Sequence, residues 1–131
     1  MTKILIVDTS IMCVWLKVPG KEVAGKSNEY TYDIVARHIE EERQKGTKLV
    51  LPIATIIETG NHIAHSNGNR EYSIDTFSSM IVSAAIVQIA QQFAPTCEVE
   101  IFTGDGGLKN YEYKIQGQAK KELRRNRNKG K

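Results

Sequence analysis

Three short apolar runs constrain what this chain can fold into: KILIV at 3–7, KLVL at 48–51 and EVEIFT at 98–103. Each is short, carries β-branched residues and is flanked by turn or cap residues, so each reads as a strand. Long stretches of helical character separate them. Strands joined through helices pair in parallel, because a parallel pair needs a crossover long enough to hold one. The predicted class is therefore α/β, a three-layer sandwich with a central parallel sheet and helices on both faces.

The helical segments follow from local signals. Thr9 and Ser10 suit a helix cap, and IMCVWL after them reads as a short helix that is apolar on most sides. VPGKEVAGKSN at 18–28 gathers Pro, Gly and Ser and reads as a loop. Residues 32–45 predict a helix with Ile34, Val35 and Ile39 as its apolar stripe, Glu42 and Arg43 on a charged back, and Gly46 as its stop. Pro52 suits a turn or a first helical position, and ATIIETGNHIAH continues as a helix of about three turns. SNGN at 66–69 breaks the chain. A helix over about 73–93 carries Phe77, Met80, Ile81, Ala84, Ala85, Val87 and Ile89 on nearly all sides, which predicts burial in the core. Pro95 ends it.

A chain of 131 residues fits one domain. Its apolar runs fall short of the ~20 residues a membrane span needs, and Asp8 interrupts the N-terminal run too early for a signal peptide. Cys13 and Cys97 lack metal-type spacing and read as two reduced thiols, which points to a cytoplasmic protein. The net charge of +3 hides an asymmetry. Residues 109–131 hold nine Lys/Arg against two Glu, a surplus of +7, while residues 1–108 hold nine Lys/Arg against thirteen Asp/Glu, a deficit of −4. A basic end is an electrostatic handle for a phosphate polymer, though a solvated terminus has the same composition. Lys120, Lys121, Arg124, Arg125 and Arg127 are the candidate nucleic-acid contacts. The division expected is a body over 1–116 and a basic C-terminal helix or tail over 117–131.

In a parallel α/β sheet, ligands sit beyond the carboxyl ends of the strands. Asp8 closes the first strand and Asp105 lies just past the third, in IFTGDGGL. Glu58 follows the second strand and faces the same rim if its helix packs across the strand ends. Three carboxylates at one rim repel one another unless a cation neutralises them, and an all-oxygen set suits Mg²⁺ or Mn²⁺. Such an ion can activate water and steady charge on a phosphodiester. The glycines beside Asp105 permit a positive φ and a close backbone approach. Each acid has a plainer alternative: Asp8 as a helix cap, Glu58 as an ordinary helix glutamate, Asp105 as a turn residue. Ser10 and Thr103 either hydrogen-bond the carboxylates or cap backbone N–H groups. Asn61 and His62 share the helical face of Glu58, with substrate contact the sharper role for them and rim or packing the plainer one for His62 and His65. Trp15, Tyr30 and Tyr32 suit core packing better than base stacking.

VDTS at 7–10, LPIATIIETGNHI at 51–63 and FTGDGGL at 102–108 resemble the PIN-domain ribonucleases, the family that includes the VapC-type toxins. The resemblance matches Asp8 with Thr9 and Ser10 to the first motif, Glu58 to the second, and Thr103 with Asp105 to the last. It implies a PIN-like fold over residues 1–116. It implies a metal-dependent endoribonuclease in which Asp8, Glu58 and Asp105 bind Mg²⁺ or Mn²⁺ and carry catalysis, supported by Ser10, Thr103 and Asn61. The substrate it implies is RNA, and if the protein is a toxin, the partners are an antitoxin and a second copy in a homodimer. Two departures stand out. The family's further Asp, about twenty residues before the last motif, is replaced in SSMIVSAAIVQIA by Ser79 or Ser83, with Asp75 further upstream. Where members often add a strand after the last Asp, this chain reads YEYKI, a possible strand, and then a basic segment. A catalytically weak or inactive PIN-like nucleic-acid-binding or assembly module is the alternative. Walker-loop, dinucleotide-binding and G-x-S-x-G patterns are missing from the sequence.

Overall fold

The computed structural model describes the backbone of residues 2–66 and 75–129, and the side chains of 2–64 and 81–129. Among the described residues three parallel strands form one sheet: β1 (Lys3–Val7) in the centre, β2 (Lys48–Val50) on one side and β3 (Glu98–Phe102) on the other. Ile6 pairs with Val50 and Val7 pairs with Phe102, so the strands end at a common rim. Order β2-β1-β3 means the chain leaves β1 towards one edge and returns to the other. The crevice between β1 and β3 is therefore a topological switch point.

Five helices flank the sheet among the described residues: α1 (Thr9–Trp15), α2 (Tyr32–Gln44), α3 (Ile53–Ser66), α4 (Asp75–Phe93) and α5 (Gly106–Lys129). Side chains alternate across β1, which sorts the core into two layers. Leu5 and Val7, with Phe102, pack under Ile11, Val14, Val35 and Ile39 of α1 and α2. Ile4 and Ile6, with Val99 and Ile101, pack under Val82, Ile86 and Ala90 of α4 and Leu108 and Ile115 of α5. The α/β class with helices on both faces is thus the observed architecture. Full burial of each aliphatic side chain contributes about 1.5–3 kcal/mol, so the apolar run Ile4-Leu5-Ile6-Val7 commits β1 to the centre.

Four local expectations change. Glu42 does not lie on a solvated back of α2. It is buried, accepting from Lys3 Nζ at 3.0 Å and Thr47 Oγ1 at 2.6 Å, while Ile34 of the expected stripe is exposed. Lys3 also donates to Glu100 at 2.8 Å, and His38 Nε2 meets the other oxygen of Glu100 at 2.7 Å. A buried charge is tolerated when it is paired and hydrogen-bonded, and this network supplies both.

The long helix before β3 is not buried all round: Ile81 and Phe93 are exposed, and Gln88 and Gln91 face solvent. Its packed stripe is Val82, Ile86 and Ala90. The YEYKI segment is not a strand but lies inside α5. Three side chains of that helix satisfy the free edge of β3 instead. Ile101 N–H donates to Glu112 Oε1 at 2.7 Å, Lys109 Nζ donates to the Ile101 carbonyl at 3.0 Å, and Gln116 Nε2 donates to the Val99 carbonyl. A sheet edge covered in this way needs no fourth strand. Finally, Gly104, Gly106 and Gly107 do not adopt positive φ.

Glu42 gives a pH test of the fold. Although burial opposes its charge, the Thr47 and Lys3 hydrogen bonds prevail and lower its pKa to about 2. A lowered folded pKa stabilises above the unfolded value of about 4.5 and loses that effect as pH falls towards 2. Urea unfolding of Glu42→Gln at pH 7 is expected to show a loss of roughly 2 kcal/mol, a gap that narrows between pH 4.5 and 2.

Candidate functional site

The rim of the sheet opens into a cavity of about 770 Å³ whose lining includes Asp8, Glu58 and Asp105. Asp8 arrives at the end of β1 and its backbone N–H continues the ladder to the Phe102 carbonyl at 3.0 Å. It is also the N-cap of α1, its Oδ1 accepting from Thr9 N–H at 2.8 Å. Oδ2 accepts from Thr103 Oγ1 at 2.6 Å, with Ser10 Oγ at 3.4 Å. The capping role and the cavity role therefore belong to the same carboxylate.

Asp105 sits where β3 gives way to α5. Its backbone N–H donates to Thr103 Oγ1 at 3.0 Å, and its Oδ1 accepts from Gly107 N–H at 2.9 Å. Ser10 Oγ accepts from Gly104 N–H at 3.1 Å, which ties the start of α1 to the same turn. Ser10 and Thr103 thus perform both tasks open to them: they donate towards Asp8 and accept from backbone N–H groups.

Glu58 comes from α3, which turns a polar face inward. Thr55, Glu58 and Thr59 are buried while Ile53, Ile56, Ile57 and Ile63 are exposed. Residues spaced three and four apart share a helical face, so burying Thr55 and Thr59 also turns Glu58 and His62 inward. His62 Nε2 lies 3.5 Å from Glu58 Oε1, and both line the cavity. Asn61 is half-buried and is not among the lining residues.

The electrostatics are uneven. Burial pushes the Asp8 carboxyl above its ordinary range; the Thr103, Thr9 and Ser10 hydrogen bonds pull it back, and the Asp105 charge adds to the rise. No lysine, arginine or histidine pairs with Asp8 among the described residues. Cys13, also lining the cavity, is a free thiol pushed up to about 11 by burial, against the pull of Lys21.

Two lysines that the sequence left in a plain loop also belong here. Lys21 and Lys26 line the cavity with Val23, Ala24 and Gly25. Their segment is held by the Ala24–Tyr30 bridge and by Gly25 at φ +93°. It approaches the Asp105 turn closely, since a Cβ on Gly104 would stand 2.7 Å from the Gly25 nitrogen. This is the close backbone approach that the glycines allow, made to the protein's own loop. Proximity of lysines to acids across 80 residues left no local sequence signal.

The remaining candidates are placed as follows. Ser83 of α4 lines the cavity, a hydroxyl where the resemblance expects a carboxylate. The side chains of Ser79, Asp75 and His65 lie outside the described residues. Lys120, Lys121, Arg124, Arg125 and Arg127 are exposed on the far part of α5. They begin about 20 Å along the helix from Gly106, and Lys120 adjoins Glu98 at the opposite end of β3. The basic tail and the acids are therefore not brought together within one chain. Trp15 and Tyr30 pack against the core beneath α1 and α2, whereas Tyr32 is exposed under Lys17.

An oxygen-rich cavity of this kind fits a hard divalent cation, and buried Asp8 is the group with most to gain from one. Among the described residues, the one His/Cys/Asp/Glu group whose ligand atoms all lie within 4.8 Å of one another is instead His38, Glu42 and Glu100. Lys3 already bridges both glutamates of that group, and Lys45 pairs with Glu42 as well. The Asp8, Glu58 and Asp105 oxygens are spread more widely. In this arrangement fewer than three of them can ligate one Mg²⁺ directly, because its ligands stand only about 2.0–2.1 Å from the ion.

Among the described residues no helix is long and apolar enough to cross a membrane. Comparison with family models, curated proteins and solved structures finds no match to this chain.

The Asp8 environment has a measurable consequence. A carboxyl whose folded pKa is raised stabilises below its unfolded value of about 3.8 and loses that effect as pH rises through the folded value. Without divalent cations, Asp8→Asn is expected to melt at or a few degrees above the wild-type temperature at pH 7, with the difference shrinking near pH 4. A thermal melt at both pH values checks it.

Proposed function

We propose that this protein is a metal-dependent endoribonuclease of PIN type, hydrolysing RNA phosphodiester bonds at the Asp8–Glu58–Asp105 cavity. The observation that carries this is the arrival of three carboxylates, from β1, α3 and the β3–α5 turn, in one solvent-open cavity at the switch point. Asp8, Glu58 and Asp105 would hold Mg²⁺ or Mn²⁺. Such an ion supplies Lewis-acid stabilisation of phosphodiester charge and lowers the pKa of water.

The chain's own residues do the rest. Thr103 and Ser10 fix the Asp8 carboxylate, and Gly107 N–H fixes Asp105. Lys21 and Lys26, the lysines of the cavity among the described residues, attract the phosphates flanking the scissile bond. Ser83 leaves the acid set one carboxylate short of the PIN pattern. That shortfall favours a weakly catalytic or purely binding module as the second reading.

The test uses purified full chain with a mixed pool of structured and single-stranded RNA, with and without Mn²⁺. Cleavage is expected only with the metal, and Asp105→Asn is expected to lower it at least a hundredfold. Asparagine caps a helix as well as aspartate does, so that variant keeps the start of α5. Cleavage indifferent to both the metal and the substitution would sink the proposal. RNA retention without cleavage would support the binding module.

The lysines are tested separately by binding in EDTA. Lys21→Ala with Lys26→Ala is expected to reduce the slope of log affinity against log salt by about 1.4 for single-stranded RNA, two phosphate contacts' worth. An unchanged slope would mean that these lysines do not face the substrate.

A further inference from the structure

A second concave surface opens beside the acid cavity. It is a groove of about 530 Å³ between α4 and the start of α5, and it shares Ser83 and Asp105 with the cavity. The two therefore adjoin at these residues. Their linings differ in kind. The acid cavity is lined by carboxylates and lysines, whereas the groove has a mainly apolar lining with Leu108 as its buried floor. Tyr111, 48% exposed, stands at its edge, six residues beyond Asp105. Gln88 and Gln91 of α4 supply amide groups at the opposite lip.

We propose that this groove is a nucleobase subsite, taking the base of a nucleotide next to the phosphodiester held at Asp105. It rests on the nuclease assignment for its substrate class and adds to it the place where the neighbouring base is held. A nucleic-acid strand sets a flat, largely apolar base beside each charged phosphate, and the apolar groove lies beside the charged cavity in the same way. A base in a duplex is stacked and paired and cannot enter such a groove, whereas an unpaired base can lie against an aromatic ring. Tyr111 supplies that ring. The Gln88 and Gln91 amides each offer both donors and an acceptor, which suits the Watson–Crick edge of a base. Lys114 Nζ lies over one face of the Tyr111 ring, 5.5 Å from its centroid, so the base takes the opposite face and the ammonium stands ready for the next phosphate.

Tyr111 had no place in the acid motif because it lies within the segment that reads as a strand. As part of α5 it instead projects beside the N-terminal turn that Asp105 caps.

The experiment compares two probes of equal charge on the full chain in EDTA: a single-stranded hexa-adenylate and a fully abasic ribose-phosphate hexamer of the same length. Equal phosphate number cancels the electrostatic contribution, so the affinity ratio reports the bases. The wild type is expected to bind hexa-adenylate at least tenfold more tightly, as one base–aromatic stack allows. Tyr111→Ala is expected to bring the ratio close to one, while Tyr111→Phe retains it. A thermal melt confirms that the half-exposed position tolerates both changes.

A ratio that Tyr111→Ala leaves unchanged, or a wild type with no base preference, overturns the subsite. Mn²⁺-dependent cleavage measured on the same preparations reports separately on the nuclease assignment. Cleavage with no base preference removes the subsite alone. A Tyr111-dependent preference without cleavage keeps the subsite and removes the nuclease.

Discussion

The hydrogen bond from Thr103 to Asp8 joins the two strands whose ends make the site. It exists because Val7 and Phe102 are register partners, which places the next residue of each strand side by side at the rim. From that bond the rest is built outward. Asp8 caps α1, Thr103 accepts from Asp105, Ser10 accepts from Gly104, and Asp105 caps α5. Two helices and a turn are thus oriented by one short polar network at the end of an apolar sheet. Asp8 is costly to bury, and its partners are neutral hydroxyl and amide groups that offset only part of that cost. Of the three cavity acids, it is the one whose burial a cation would relieve most.

Away from the acids, the sheet handles charge differently. Lys3, Glu42, Glu100 and His38 form a closed set on the α2 face, with Phe102 packed edge-on against the His38 ring. Both kinds of charge are present there, so the network is complete within the chain. At the rim the acids predominate and the balancing lysines come from a loop across the cavity. This contrast separates a structural charge cluster from a candidate site more clearly than residue type does. By residue type alone, the His38 group has the more familiar ligands.

Much of this was legible in advance, for physical reasons that differ by residue. The β1 run is apolar on both faces, so its burial and its parallel neighbours followed from composition alone. Asp8 and Asp105 were readable because strand ends of a parallel sheet share an edge. Gly46 was readable as a helix stop, and it adopts φ +82° directly after α2. Glu42 was misplaced because a helical period cannot tell a solvated glutamate from one that meets Lys3 and Thr47 inside. The same blindness affected YEYKI, whose β-forming residues are overridden by Lys109, Glu112 and Gln116 reaching the open edge of β3.

The sequence by itself determined the strand–helix alternation, the class of fold and two acids at strand ends, since these depend on local pattern and on chain connectivity. Tertiary structure decided which faces those elements present. It turned Thr55, Glu58 and Thr59 of α3 inward and left four isoleucines of the same helix outward, against the simple hydrophobic order. It brought Lys21, Lys26 and Ser83 to the acids, and it carried the basic end of α5 away from them. These outcomes rest on packing between segments far apart in the chain, where spacing along the sequence carries no information about distance in space.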